Sequence, residues 1–148
     1  MIINLIVFLI GLVFGSFLNV LIHRLPLSIS LFKPLGSACP HCSYEIKWFE
    51  NIPVLSYLFL KGKCSNCSES ISKTYPLVEI ITAIVTLVIY LNFIPNWEML
   101  AIVAVFYTLI VLSFIDLKYR EVPDYLLIIV VVLTIFVGDL INLLIFTG

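Results

Sequence analysis

Two groups of side chains in this 148-residue sequence have the types and spacing to do chemistry. The first is a set of four cysteines, Cys39-Pro40-His41-Cys42 and Cys64-Ser65-Asn66-Cys67, with 21 residues between the pairs. Two residues between cysteines let both sulfurs of a pair reach one metal from a tight turn, so two such knuckles read as a tetrahedral four-cysteine zinc site. Four thiolates fill the shell and leave no position for water, which makes the zinc structural rather than catalytic. The same spacing also admits a dithiol redox switch. His41 lies inside the first knuckle and His23 ahead of it; with the shell already full, both are expected as polar loop residues.

The second group is a set of carboxylates at the edges of apolar segments. Asp116 follows Leu112-Ser113-Phe114-Ile115, at the expected C-terminal end of a helix, where the helix dipole disfavours an anion. Ionisable groups in or beside membrane segments are functional hypotheses by default, and Asp116 is the one that helix electrostatics does least to explain. Glu79, expected in the first turn of a helix after Tyr75-Pro76, and Asp124, after Pro123, fall near helix N-termini. There capping and the dipole account for them as well as function does. Asp139 lies 15 residues beyond Asp124, about 22 Å further along a continuous helix and away from Asp116. It is expected to cap a helix broken at Gly138.

The elements that must position these groups follow from composition. Hydrophobic residues make up 62% of the chain and charged residues 11%, with a mean hydropathy of +1.19. A soluble domain this small cannot hide that much apolar surface, so the sequence is that of an integral membrane protein. Lys and Arg (8) barely balance Asp and Glu (9), which excludes a nucleic-acid binder working by charge. Apolar residues fall into four blocks, 1–22, 77–94, 99–115 and 125–146. Each is long enough for a helix across roughly 30 Å of hydrocarbon, and in lipid the backbone must satisfy its own hydrogen bonds. The first block has no basic n-region and no cleavage pattern, so it is expected to be a retained helix rather than a signal peptide. Its Gly11-x-x-x-Gly15-Ser16 face suits close helix packing. No internal repeat and no low-complexity tract is read.

Basic residues set the expected orientation. Arg24, Lys33, Lys47, Lys61, Lys63 and Lys73 fall between the first two blocks, and Lys118 and Arg120 between the last two. The connection Pro95-Asn96-Trp97-Glu98 has none. Positive loops face the cytoplasm, so the N-terminus is expected outside and residues 23–75 and 116–124 inside. The architecture expected is an all-α polytopic membrane protein of about four transmembrane helices with a cytoplasmic zinc-binding loop. Its parts are helix 1 (1–22), a cytoplasmic four-cysteine zinc loop domain (23–75), and helices 2–4 (76–148).

Beyond the knuckles, longer strings carry information. The first helix ends in Gly15-Ser16-Phe17-Leu18-Asn19-Val20 and runs on to Arg24-Leu25-Pro26. The loop then reads Ile46-Lys47-Trp48, Asn51-Ile52-Pro53, Ser56-Tyr57-Leu58 and Gly62-Lys63-Cys64, followed by Ile71-Ser72 and Tyr75-Pro76 with Glu79. Asp116 stands ahead of Pro123-Asp124. Taken together, these strings resemble the type IV prepilin peptidase family, membrane aspartic endopeptidases, over almost the full length.

The resemblance implies a reaction and its setting. Such enzymes remove the leader from prepilins and from pseudopilins of secretion or DNA-uptake systems, at the cytoplasmic face of the bacterial inner membrane. Many also methylate the new N-terminus with S-adenosylmethionine. The resemblance makes Asp116 one of two catalytic aspartates and the cysteines a structural zinc site; it assigns no substrate-binding residue. The S-adenosylmethionine role rests on resemblance alone, since no GxGxxG motif is present.

The second family aspartate belongs to a downstream Gly-x-Gly-Asp motif. Val137-Gly138-Asp139 is similar to it but falls too soon after Asp116, so the role is not carried onto Asp139. The sequence is therefore expected to be a truncated form, an inactive relative, or one of two copies that each lend Asp116 to a shared site, a homo-oligomer. Three functions compete. They are a prepilin peptidase, a catalytically incomplete zinc-loop module that binds prepilins or assembly partners without cleaving, and a thiol redox membrane protein.

Overall fold

The stretch from Ile2 to Arg24 contains no proline and few polar groups, and it forms one 23-residue helix, α1 (Ile2–Arg24), closed by Pro26, which has no N–H to continue it. The computed structural model describes residues 1–30, 38–39 and 41–147, with helix side chains described to residue 135. After α1 come a single 3₁₀ turn (Trp48–Asn51), a short α2 (Leu55–Phe59) and three long helices: α3 (Thr74–Asn92), α4 (Trp97–Tyr119) and α5 (Asp124–Thr147). Among the described residues there is no strand, only two isolated bridges in the loop.

Helix ends follow local chemistry. Pro76 sits in the first turn of α3, where its missing N–H would have had no partner. The Asn96 side chain caps α4 by accepting the Met99 N–H at 3.0 Å. At the other end Arg120 turns left-handed (φ 58°) and its N–H donates to the Asp116 carbonyl at 2.9 Å. Helices α1, α3 and α4 are long and apolar enough to cross a membrane. A fourth span was expected over 125–146; α5 runs through that stretch, and its described side chains, Asp124–Ile135, form a shorter apolar helix. The helix is unbroken at Gly138, so the expectation that Asp139 caps a break there does not hold; the Asp139 side chain lies outside the described residues.

Packing is tightest between α1 and α3. A Cβ on Gly11 would lie 2.6 Å from Ala83 Cα, and one on Gly15 would lie 2.6 Å from Glu79 Cα. The Gly-x-x-x-Gly face thus lets two backbones touch, gaining dispersion where lipid gives no hydrophobic drive. Leu18 and Ile22 of α1, Val78 of α3, Ile110, Val111, Leu112 and Ile115 of α4 and Leu126 of α5 form one core. These residues come from the end of α1, the start of α3, the end of α4 and the start of α5. The core therefore gathers the helix ends that carry the cysteine loop and Asp116. Large apolar side chains on the outer faces of the helices remain exposed, as lipid-facing residues should.

Candidate metal centre and the cleft beside it

Each cysteine pair folds into the same tight turn. The Cys39 N–H donates to Tyr44 O at 3.0 Å and the Ser43 N–H to Cys39 O at 2.9 Å. In the second knuckle the Cys64 N–H donates to Glu69 O at 2.8 Å and the Ser68 N–H to Cys64 O at 3.0 Å. Ser43 and Ser68 both have positive φ, 55° and 60°, and the bridges Ala38–Glu45 and Lys63–Ser70 close the two turns. Every one of these positions has its counterpart 25 residues on. The loop therefore does contain a short internal repeat, contrary to the reading of the sequence. It was missed because beyond the cysteines and one serine the two knuckles share no residue at matching positions.

The knuckles face each other and bring all four sulfurs within 4.8 Å of one another. Cys39 Sγ lies 3.8 Å from Cys67 Sγ and Cys42 Sγ 3.9 Å from Cys64 Sγ, both contacts running across the pair of knuckles. A disulfide needs about 2.05 Å, so these are four free cysteines. A tetrahedron of sulfurs around zinc at about 2.3 Å has edges of about 3.8 Å. The observed spacing fits that figure, and the cluster can hold a metal ion.

The electrostatics of the cluster point the same way. The Asn66 amide, 3.6 Å from Cys42 Sγ, and the Tyr44 N–H lower the Cys42 thiol to about 6. Backbone N–H groups of Cys67 and Asn66 lower the Cys64 thiol. At Cys67 the Glu69 N–H also favours the thiolate, but desolvation and the sulfurs of Cys42, Cys64 and Cys39 outweigh it and push the thiol up to about 12. Neighbouring thiolates repel, so the cluster cannot ionise fully by itself; a bound dication removes that conflict.

Glu50, which sequence reasoning did not single out, ties the knuckles together. Its carboxylate accepts the Lys47 N–H at 3.0 Å and hydrogen bonds from the side chains of Ser65 and Tyr44. The Ser65 bond, with the others in support, holds its pKa below the usual carboxylate value. One signal was available: an acid three residues after the start of a short helical turn.

Glu79 is the other unexpected anchor. The helix starts ahead of Pro76, at Thr74, so Glu79 lies beyond the first turn and cannot cap it. It is 8% exposed. Its Oε2 accepts the Val54 N–H at 2.7 Å, and Ser16 of α1 hydrogen-bonds to the same carboxylate. Asn19 of α1 donates to Tyr75 O at 3.0 Å. Loop, α1 and α3 are thus locked together by buried polar contacts at one level.

Between the loop and the helix ends lies a cleft of about 670 Å³. Ser16, Asn19 and His23 of α1, Glu79 of α3 and Lys118 of α4 line it on one side, and Tyr44, Glu50 and Tyr57 of the loop on the other. His41 also lines it and remains a loop residue, but His23 belongs to the last turn of α1, because the helix runs two residues past the apolar block. The four cysteines are brought together; Asp116 is not brought to them. It sits exposed in the last turn of α4 and does not line the cleft, although Lys118 does. Asp124 is exposed as the first residue of α5.

Helices able to cross a bilayer, with a loop carrying a four-cysteine cluster between the first two, define a polytopic membrane protein with a cysteine-knuckle module that can hold a metal ion. The chain belongs to the family described as the bacterial peptidase A24 N-terminal domain, whose model matches residues 9–93, from α1 through the loop to the end of α3. It is 40% identical to the prepilin leader peptidase/N-methyltransferase of Aeromonas hydrophila, over 81% of this chain and 49% of that protein. Identity is 38% to the protein of the same name from Pseudomonas aeruginosa (80% and 48% covered). It is 41% to the type 4 prepilin-like proteins leader peptide-processing enzyme of Escherichia coli (77% and 49%). The chain spans about half the length of the curated relatives it matches. No solved structure matches it.

Proposed function

We propose that this chain acts in prepilin processing at the bacterial inner membrane, on prepilins or pseudopilins. The observation that carries the reading is the identity, near 40%, to enzymes named for that reaction, over a stretch that includes the loop holding the four sulfurs. In this reading residues 1–22 are a first span, 23–75 a cytoplasmic zinc domain and 76–148 the later spans, a fourth included. The N-terminus faces outward, as the Lys and Arg distribution favours. Cys39, Cys42, Cys64 and Cys67 hold a structural zinc.

Asp116 supplies one of two carboxylates that activate water for cleavage. Such a pair works with one carboxylate ionised as base and one protonated as acid, repulsion splitting their pKa values. Its place in the last turn of α4, at the loop-bearing end of the helices, suits a substrate cut where an apolar stem leaves the bilayer. The reading requires a second carboxylate, from another segment or from Asp116 of a second copy. N-methylation is the companion activity that the relatives' names support, and S-adenosylmethionine is the methyl donor proposed for it.

The test is leader cleavage in membranes by the chain and by its Asp116→Asn variant, with a prepilin-like substrate. Cleavage lost in the variant, with zinc and helicity intact, supports the role; undiminished cleavage overturns it. One observation favours a second reading, a module that binds prepilins or assembly partners without cutting: the cleft is built without Asp116. Capture of the substrate by both proteins, with cleavage by neither, would select it.

A further inference from the structure

The loop carries its own apolar face. Trp48 is 81% exposed and Phe59 83%, and Phe49, Leu55 and Leu58 are exposed with them. Trp48 and Phe49 meet edge to face, with ring centroids 5.7 Å apart. These five residues belong to the 3₁₀ turn and α2, two short elements adjacent in sequence and packed on each other. Isolated apolar side chains on a surface need no explanation, but three exposed aromatics with two leucines on adjacent turns do.

The bond to α3 fixes the height of this face relative to the membrane. Val54, which leads into α2, is bonded to Glu79. Glu79 lies five residues into α3, about 8 Å along its axis. The outward apolar row of α3 begins at Leu77 and continues through Ile80, Ile84, Val88 and Leu91. The hydrocarbon boundary on α3 therefore falls close to Leu77, and the headgroup layer beyond it is about 5–8 Å deep. The start of α2 is fastened at the depth of that boundary. Leu55, Leu58 and Phe59 follow directly, so they lie within the headgroup layer or at its edge. Lysines flank them: Lys47, with its ammonium 5.7 Å from the Phe49 ring centroid, and Lys61, just past α2. Aromatic and leucine side chains on one face with flanking lysines are the composition of an interfacial element, and the lysines match anionic lipid headgroups.

We propose that the face formed by Trp48, Phe49, Leu55, Leu58 and Phe59 docks onto the bilayer that the chain's own helices span. The docked face fixes the tilt of the cysteine knuckles over the membrane. Glu79 sets its depth, the apolar side chains enter the headgroup layer, and Lys47 and Lys61 meet anionic headgroups.

The chain has two tryptophans, so Trp97→Phe leaves Trp48 as the sole reporter. The zinc-loaded variant is placed in nanodiscs of phosphatidylcholine mixed with phosphatidylglycerol, with or without lipids brominated on their acyl chains. Trp48 emission is expected to be blue-shifted, quenched at least about twofold by bromolipid and protected from iodide, as for a residue in the interface. Lys47→Glu with Lys61→Glu is expected to weaken bromolipid quenching in anionic discs and to change it little in pure phosphatidylcholine. The Trp48→Phe protein, reporting from Trp97 at the head of α4, controls for intact insertion. Emission open to iodide and untouched by bromolipid overturns the proposal. Protection from iodide without bromolipid quenching overturns it as well, because protein rather than lipid then covers the face.

Discussion

The Val54 N–H points at Glu79 Oε2 from 2.7 Å away while Val54 itself sits at φ 60°, ψ −47°. The neighbouring Leu55 N–H donates back to Pro53 O at 2.6 Å, so Pro53, Val54 and Leu55 form a γ-turn of the rare, strained hand. A β-branched residue held there costs about 1–3 kcal/mol. The hydrogen bond to the buried Glu79 carboxyl offsets that cost and fastens the loop to α3. Glu79→Ala should therefore destabilise the protein by about 2 kcal/mol, and Glu79→Gln, which keeps an acceptor oxygen, by less. Limited proteolysis of the loop in nanodiscs checks it: the alanine variant should be cut between the knuckles and α2 well before the glutamine one. Equal resistance in all three proteins would show that Glu79 is not the fastening.

The same contact region predicts a steric effect. Gly15 passes against Glu79 backbone, and its missing Cβ would stand 2.6 Å from Glu79 Cα and 3.2 Å from Glu79 O. Backbone cannot swing aside as a side-chain tip can. Gly15→Ala should push α1 from α3 and cost about 1–3 kcal/mol, with a matching gain in loop proteolysis. Phe17→Leu, two residues on and facing outward at 53% exposure, should leave thermal unfolding in detergent nearly unchanged. A neutral Gly15→Ala would mean that the two helices are not in backbone contact.

How much of this was legible beforehand depends on how local each signal is. The two cysteine pairs announce a four-sulfur cluster because spacing within each knuckle is a local constraint, and the cluster is found. The apolar blocks give the long helices for the same reason, with Gly11 and Gly15 marking where two of them touch. Glu79 was misread as a helix-start residue because Pro76 suggested a boundary, whereas the helix absorbs that proline in its first turn. Its actual partners, Ser16 and Val54, are remote in sequence, and no periodicity points to them. Glu50 was passed over because it joins residues from both knuckles, a relation that exists only once the loop is folded.

Glu50 gives the pH dependence. Its carboxylate is held below the ordinary value by Ser65 and then by the Lys47 N–H, so the unfolded chain takes up a proton first as pH falls. The contribution is fully present above the unfolded value, 4.5, and is lost as pH falls through the lowered folded value. Glu50→Gln should accordingly lower loop stability at neutral pH, and the difference from the parent should shrink below pH 4.5. Following loop proteolysis by an acid-active protease against pH, with zinc in excess for both proteins, measures this. A gap that does not close in acid would assign the effect to shape rather than charge.

Metal removal is the most direct check on the loop. Four sulfurs with cross-knuckle spacings of 3.8 and 3.9 Å match a zinc tetrahedron, and among the described loop residues few side chains are buried, so beside the Glu50 bonds the metal is the main tie between the two knuckles. Binding free energy is folding free energy in such a module. The purified chain should carry one zinc, and Cys39→Ser combined with Cys64→Ser should lose it, since each knuckle then keeps a single thiolate. Chelation should expose the loop to protease while the helical signal of α1, α3 and α4 persists, because their shared core contains no cysteine. Readdition of zinc should restore protection. Metal-free protein with an equally resistant loop would remove zinc from the fold, and facile reversible disulfides across Cys39–Cys67 and Cys42–Cys64 would instead mark the cluster as a redox device.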